Sequence, residues 1–244
     1  MLKNAIALII AVAIGALGYR FWVHKDAEES PLNVLVTQMR TRAIIEHERQ
    51  VTVWYKACPE VKGINPQVMV IWPAKLNYEL DLADTRLSLG ADGVLHVDTP
   101  PIRGDDPSVP SEVGEYLAQT SFWTLDSEQA IVMREMQKAT PLARHLTAYF
   151  LRNDVGLPDQ FKEELETYLR GISGALGLKV TRVDINIPKE EVKIPPRPEL
   201  TLCEGSVALA NGFGFARRQA DGTVVGVYPH KTSTKDNKAP ASTP

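Results

Sequence analysis

The 244-residue chain predicts an α+β body behind an N-terminal transmembrane helix: an antiparallel sheet packed with two or three helices, and a small β-rich C-terminal appendage. Three observations predict it. An apolar run fills residues 5–23, a two-residue alternation governs much of 45–97, and a helical period governs 127–176 before alternation returns. Strands first, helices next and a strand to close is the order of an α+β domain, not of repeated βαβ units.

The run from Ala5 to Val23 is interrupted only by Arg20. At ~1.5 Å per residue it reaches roughly 28 Å as a helix, close to the ~30 Å hydrocarbon core of a bilayer. Tyr19, Arg20, Phe21 and Trp22 are the expected membrane-interface residues, since the rings settle at headgroup level and the guanidinium snorkels. The competing reading is a cleaved secretory peptide with Lys3 as its basic start and a cut after Ala16-Leu17-Gly18. Aromatics that continue the apolar stretch favour a retained signal anchor over residues 1–24. Ala7, Ala11 and Gly15 recur every four residues, a spacing that lets two such helices approach closely, although Ala and Gly are also simply abundant in anchors.

Orientation draws on two opposing signs. Arg20, Lys25, Arg40 and Arg42 follow the helix, which by counting favours a cytoplasmic body. The short leader carrying Lys3 has the form of an N-inside signal anchor, and the reading adopted is an exported, extracytoplasmic body.

Residues 25–36 are charged and polar and are expected as a juxtamembrane linker or short helix, ahead of an α+β domain over 37–188. From Ile45 the chain alternates, with Ile45, His47, Arg49, Val51, Val53 and Tyr55 on one face and Glu46, Glu48, Gln50, Thr52 and Lys56 on the other. Val68 to Trp72 predicts a fully buried strand, and Leu76, Tyr78, Leu80 and Leu82 a half-buried one. Leu87 to Val97 predicts a hairpin about Asp92-Gly93, because Asp-Gly supplies positive φ. Asp126 with Gln129 predicts a helix start near Ser127, and Pro141 a restart. Phe161, Leu165, Leu169 and Ile172 mark one face of a second helix from Pro158 to Gly177. Residues 179–188 close the domain as a strand.

Four prolines make 189–198 a stiff connector. Residues 199–230, with turns at Asn211-Gly212 and Asp221-Gly222, are expected as the β appendage, and 231–244 as a disordered tail.

The net charge is −3, and Lys231, Lys235 and Lys238 fall in the tail, so the body is more acidic still. Without a basic stripe, nucleic acid is excluded as the expected ligand. Two cysteines, Cys58 and Cys203, cannot make a disulfide framework or a cysteine metal site alone; they can pair if the body is exported, and spacing leaves that open.

The stretch Ile71-Trp-Pro-Ala-Lys-Leu-Asn-Tyr-Glu-Leu-Asp-Leu82, with Val94 to Ile102, resembles the membrane-anchored bacterial family called domain of unknown function forty-two-thirty. The matching positions are Pro73, Lys75, Asp81 and Leu82, then Thr99 to Ile102, then Leu178 to Ile187, and the likeness covers about residues 33–188. It departs at Tyr78-Glu79, where smaller residues are expected. Gly177 to Pro188 is similar to the closing element of the stomatin and prohibitin scaffold domain, without the coiled-coil heptads that follow there. The first resemblance implies a membrane-anchored bacterial protein of unassigned function, the second is one of architecture alone, and neither supplies a catalytic residue.

Glu79, Asp81 and Asp84 gather carboxylates on and just past one strand, and with His96 they are the candidates for a membrane-tethered hydrolase or metal-dependent enzyme around Asp81. A solvated strand face explains them more simply and is the preferred reading. His145, beside Arg144, is expected at the surface. No His-Glu-x-x-His, P-loop or Gly-x-Ser-x-Gly motif occurs. The sequence thus predicts a single-pass, non-catalytic interaction or scaffold module at the cell envelope, with no cofactor, with the lipid bilayer as partner and with homo-oligomerisation through the anchor.

Overall fold

The computed structural model describes residues 30–41, 44–59, 66–110, 114–119, 127–154 and 156–228. The anchor, its interface residues Tyr19 to Trp22, the Ala7-Ala11-Gly15 stripe and the tail from 231 lie outside these. No helix among the described residues is long and apolar enough to cross a membrane.

Helix α1 (Pro31–Thr41) precedes β1 (Ile44–Ala57), β2 (Gln67–Asp81), β3 (Arg86–Leu89), β4 (Val94–Asp98), β5 (Arg103–Gly104) and β6 (Glu115–Gln119). Helices α2 (Glu128–Met136), α3 (Ala139–Asn153) and α4 (Leu157–Ala175) follow, then β7 (Arg182–Asn186), β8 (Val207–Ala210), β9 (Phe213–Arg218) and β10 (Val224–Val225). The α+β class is as expected. The chain divides into two compact units: one uses the residues up to Ile45, Leu80–Ile102 and Val155–Lys189, and the other Glu46–Glu79, Arg103–Asp154 and the residues from Glu190 on.

The first unit holds the three-stranded sheet β3-β4-β7, antiparallel between β3 and β4 and parallel between β4 and β7. Its hairpin turns as expected, with Gly93 at φ 79° and Asp92 Oδ1 accepting from Val94 N–H. Leu95, Val97 and Val183 are buried while His96, Asp98 and Asp184 are exposed, which is the alternation of a sheet with one covered face. In α4, Phe161, Leu165 and Leu169 recur one turn apart at 0 % exposure. Of the two expected forms of the linker, the helix is found from Pro31, running on to Thr41 with Leu35 and Met39 buried; proline fits its first turn. The closing strand is shorter than 179–188.

The second unit is built on a seven-stranded sheet in the order β10-β9-β8-β1-β2-β5, with β6 also on β2. Val68–Trp72 is not a separate buried strand. It is the first third of one continuous β2, in which Val68, Val70, Trp72, Ala74, Leu76 and Tyr78 are buried and Met69, Ile71 and Pro73 are half-buried on the other face. Pro73 is tolerated because β6 pairs with Gln67–Ile71 and β5 with Tyr78–Glu79, so no regular ladder on that edge needs its missing N–H.

Residues 199–228, within the stretch expected as an appendage, complete this sheet: β8 pairs antiparallel with β1, Val53 opposite Ala210 and Trp54 opposite Leu209. Asn211 (φ 47°) and Gly212 (φ 85°) make the two-residue turn between β8 and β9. Asn211 also ties that turn to β1, accepting from Thr52 N–H at 2.7 Å and donating to Gln50 C=O at 2.9 Å. The inner sheet face looks toward α2 and α3, where Tyr55 Oη reaches Glu135 and Ile131, Leu142 and Leu146 are wholly buried. Ser127 caps α2, accepting from Ala130 N–H at 3.2 Å; Asp126, the expected cap, lies outside the described residues. Pro141 stands in the first turn of α3, as expected.

Candidate functional site

The outer face of the second unit's sheet is where apolar side chains meet solvent. Alternation sends Thr52, Trp54 and Lys56 of β1 outward, and register places Leu209 of β8 beside Trp54 and Leu117 of β6 beside Met69 of β2. The Lys75–Glu48 ion pair at 3.0 Å crosses from β2 to β1 on this face, so Trp54 and Met69 share it. The result is an apolar row over four strands, Leu209, Trp54, Met69 and Leu117, with Ile71, Pro73 and Val207 beside it. Trp54 is 42 % and Leu117 71 % exposed. Contiguous apolar surface of this kind marks interaction sites more than chance exposure.

Charge divides the same face along the strands. At one end, Glu46, Glu48, Glu79 and Asp105 line a cleft with His47, Asn77 and Tyr78, and Lys75 pairs with Glu48 while Arg103 stands opposite Glu79. At the other end stand Lys56 and Arg217 with Glu204, while the next residue, Arg218, donates from Nη1 to Leu202 C=O at 2.7 Å. Arg217 lies opposite Val207, on the same face as Leu209.

No protein-family profile, curated protein or solved structure matches the chain. The likeness to the forty-two-thirty and stomatin families therefore rests on the quoted residues alone.

Glu79 and Asp81 lie two residues apart on one side of β2, as expected, with the boundary between the two compact units falling between them. Glu79 belongs to the second, in the acidic cleft. Asp81, Asp84 and His96 belong to the first: Asp81 Oδ1 accepts from Ala83 N–H at 2.9 Å to shape the turn after β2, and Asp84 is exposed in that turn. His96 faces Asp184 across β4 and β7, Nδ1 to Oδ2 3.5 Å, with Ser88 opposite on β3. These side chains are 50 % and 60 % exposed, so water screens the pair. Among the described residues, no group of three or more His, Cys, Asp or Glu is arranged to hold a metal ion.

Cys58 and Cys203 are joined. The staple fastens the segment before β8 to the end of β1, where Cys58 N–H donates to Thr201 C=O and Cys203 N–H to Lys56 C=O. Beside it, Glu135 is completely buried. Its carboxylate accepts from Tyr55 Oη at 3.1 Å, Thr201 Oγ1 at 3.1 Å and Lys138 Nζ at 2.8 Å. Burial, then the Glu135 charge, pushes the Tyr55 phenol well above its ordinary range. No sequence motif singles out Glu135, because Glu135 and Lys138 three apart read as an ordinary helix-surface pair.

His145 corrects the surface expectation: it is 6 % exposed. Its Nδ1–H donates to Pro195 C=O at 2.7 Å, which leaves Nε2 to accept from Tyr228 O–H. Tyr228 in turn stacks on Tyr149 at 4.2 Å, and Phe213 lies parallel to Tyr149 at 6.3 Å. The histidine thereby ties the connector and the end of the described chain to α3.

Burial lowers the His145 pKa below its ordinary 6.5 against the opposing Pro195 hydrogen bond, and Arg197 lowers it further. An unfolded histidine then binds protons more readily than the folded one. Its contribution to stability is complete above about pH 6.5 and is lost as pH falls toward the folded pKa. His145→Leu should lower stability at pH 8, by orphaning Pro195 C=O and Tyr228 O–H, and flatten the pH dependence between pH 7 and 5.5. Urea midpoints from pH 8 to 5.5 check both effects; an unchanged acid slope would remove His145 as its source.

Proposed function

We propose that this chain is a single-pass membrane-anchored, non-catalytic interaction module at the cell envelope, with its body outside the cytoplasm. The observation that carries the interaction role is the exposed apolar row across β8, β1, β2 and β6. Large hydrophobic side chains held outward on four paired strands cost solubility unless they meet a partner. The location is supported by the apolar run at Ala5–Val23, which is long enough to span a bilayer, and by the Cys58–Cys203 bond, which persists in oxidising compartments and is rare in reducing ones. A helix that keeps the body at the membrane surface raises its effective concentration toward other membrane-bound chains.

The test places a photoreactive amino acid at Leu117 or, as control, at Arg86 on the polar face of the other unit's sheet, in full-length protein in native membranes. The module reading predicts protein adducts from position 117 and few from 86. Equal yields, or none from 117, would overturn it. Extraction with alkaline carbonate tests the anchor separately: the protein should stay with the membrane pellet.

A further inference from the structure

We propose that the free edge of β7 pairs antiparallel with β7 of a second copy of this chain, so that two three-stranded sheets become one continuous sheet about a two-fold axis at Ile185. The proposal concerns the first unit and goes beyond the apolar row of the second.

Among the described residues, β4 is the one strand that pairs with β7, so the far edge of β7 is open. The bonds beside it fix which backbone groups that edge presents. Gly90 N–H donates to Val94 C=O, so the groups of Val94, His96 and Asp98 point toward β3 and those of Leu95, Val97 and Thr99 toward β7. Thr99 N–H donates to Asn186 C=O, so Arg182, Asp184 and Asn186 point toward β4. The N–H and C=O groups of Val183, Ile185 and, one residue past the strand, Ile187 therefore point away from the sheet. Such a row is a template for another strand, and the first proline, Pro188, stands only after it. The side chains leave a matching gap. Val183 is buried, yet Ile185 and Ile187, which follow it on the same face, are half-exposed, so the cover of that face thins along β7.

Register and charge name the second copy, because this edge is complementary to itself. A two-fold axis perpendicular to the sheet and centred on Ile185 sets Ile185 against its own counterpart and Val183 against Ile187 of the second copy. Each of these pairs exchanges two backbone hydrogen bonds, and their side chains close an apolar row on the covered face. On the solvent face the same register sets Asp184 against Asn186. One amide hydrogen of Asn186 is held by Asp98 Oδ1 at 2.9 Å, and the other is left for the opposing carboxylate. Centring one residue earlier would put Asp184 against Asp184, like charges directly opposite. Centring one residue later would put Val183 against Lys189 and Asp184 against Pro188. Only the Ile185 register satisfies backbone, apolar face and charge together.

A pairing this short is a small interface, so the readout is capture by cross-link rather than co-purification. Two differently tagged forms of the full-length chain are made in one membrane, one with Asp184→Cys and the other with Asn186→Cys, and briefly oxidised. In the proposed register these positions are directly opposite, with Cα atoms ~4.5 Å apart and within disulfide reach; like positions lie on the diagonal at ~7–8 Å, beyond it. Disulfides between the two tags should exceed those within either tag roughly tenfold. Ile185→Lys in both forms sets two ammonium groups at the axis and should cut the cross-link about tenfold, as should Ile185→Glu in both. Lysine in one form and glutamate in the other should restore it, which also shows that neither variant misfolded. Equal yields within and between tags, or yields that ignore the charge at position 185, overturn the proposal; contact through the anchor alone gives that result. No cross-link, or no restoration by the unlike pair, overturns it as well. The apolar row of the second unit is untouched by any of these outcomes.

Discussion

Glu135→Ala should cost about 3–5 kcal/mol of unfolding free energy, the range for removing one partner of a buried ion pair. The side chain of Glu135 is fully buried and that of Lys138 is 17 % exposed. Removing the carboxylate leaves an ammonium with little water and takes the acceptor from Tyr55 and Thr201 hydroxyls. Glu135→Gln keeps an acceptor of the same shape and should cost less. The double change Glu135→Leu with Lys138→Met removes both charges and should also cost less than alanine alone. Urea unfolding followed by tryptophan fluorescence reads the series, since Trp72 is buried in the same unit. A loss below about 1 kcal/mol for Glu135→Ala would mean that the carboxylate is solvated.

Cys203→Ser, or reduction, is the other large effect. The bridge closes a separation of 145 residues. Chain entropy alone puts its stabilisation at roughly 5 kcal/mol, an upper figure against measured losses of about 2–4 kcal/mol. The smaller figure is expected here, because backbone hydrogen bonds from Cys58 to Thr201 and from Cys203 to Lys56 already hold the two segments together. The segment before β8 should loosen first, so amide exchange at Thr201–Cys203 and along β8 should rise on reduction while α4, in the other unit, stays protected. Uniform loss of protection across both units would contradict this division.

Legibility in the sequence followed periodicity. Phe161, Leu165 and Leu169, the Asp92-Gly93 hairpin and the Asn211-Gly212 turn each write their geometry locally, through one-turn spacing or positive φ, and each is found where expected. Strand pairing is different. Nothing local tells residues 207–210 that their neighbour is β1, some 150 residues earlier in the chain, so a strand group that completes a sheet reads as an appendage. Met69 and Ile71, half-exposed in the structure, read as part of a buried run for the same reason: side-chain type is visible, but whether anything covers the outer face is not. Glu135 and His145 are the converse, polar residues buried by elements distant in sequence. His145 is held by Pro195 and Tyr228, fifty and more residues away.

The most direct test of an oxidised, extracytoplasmic body is the state of the two thiols in the cell that makes the protein. Intact cells are quenched in acid, and the full-length chain is denatured and alkylated with a mass-tagged maleimide before and after reduction. The chain contains only Cys58 and Cys203, so the readout has no background. The account predicts no tag before reduction and two tags after it. Two tags without reduction, in protein drawn from healthy cells, would place the body in a reducing compartment and contradict it.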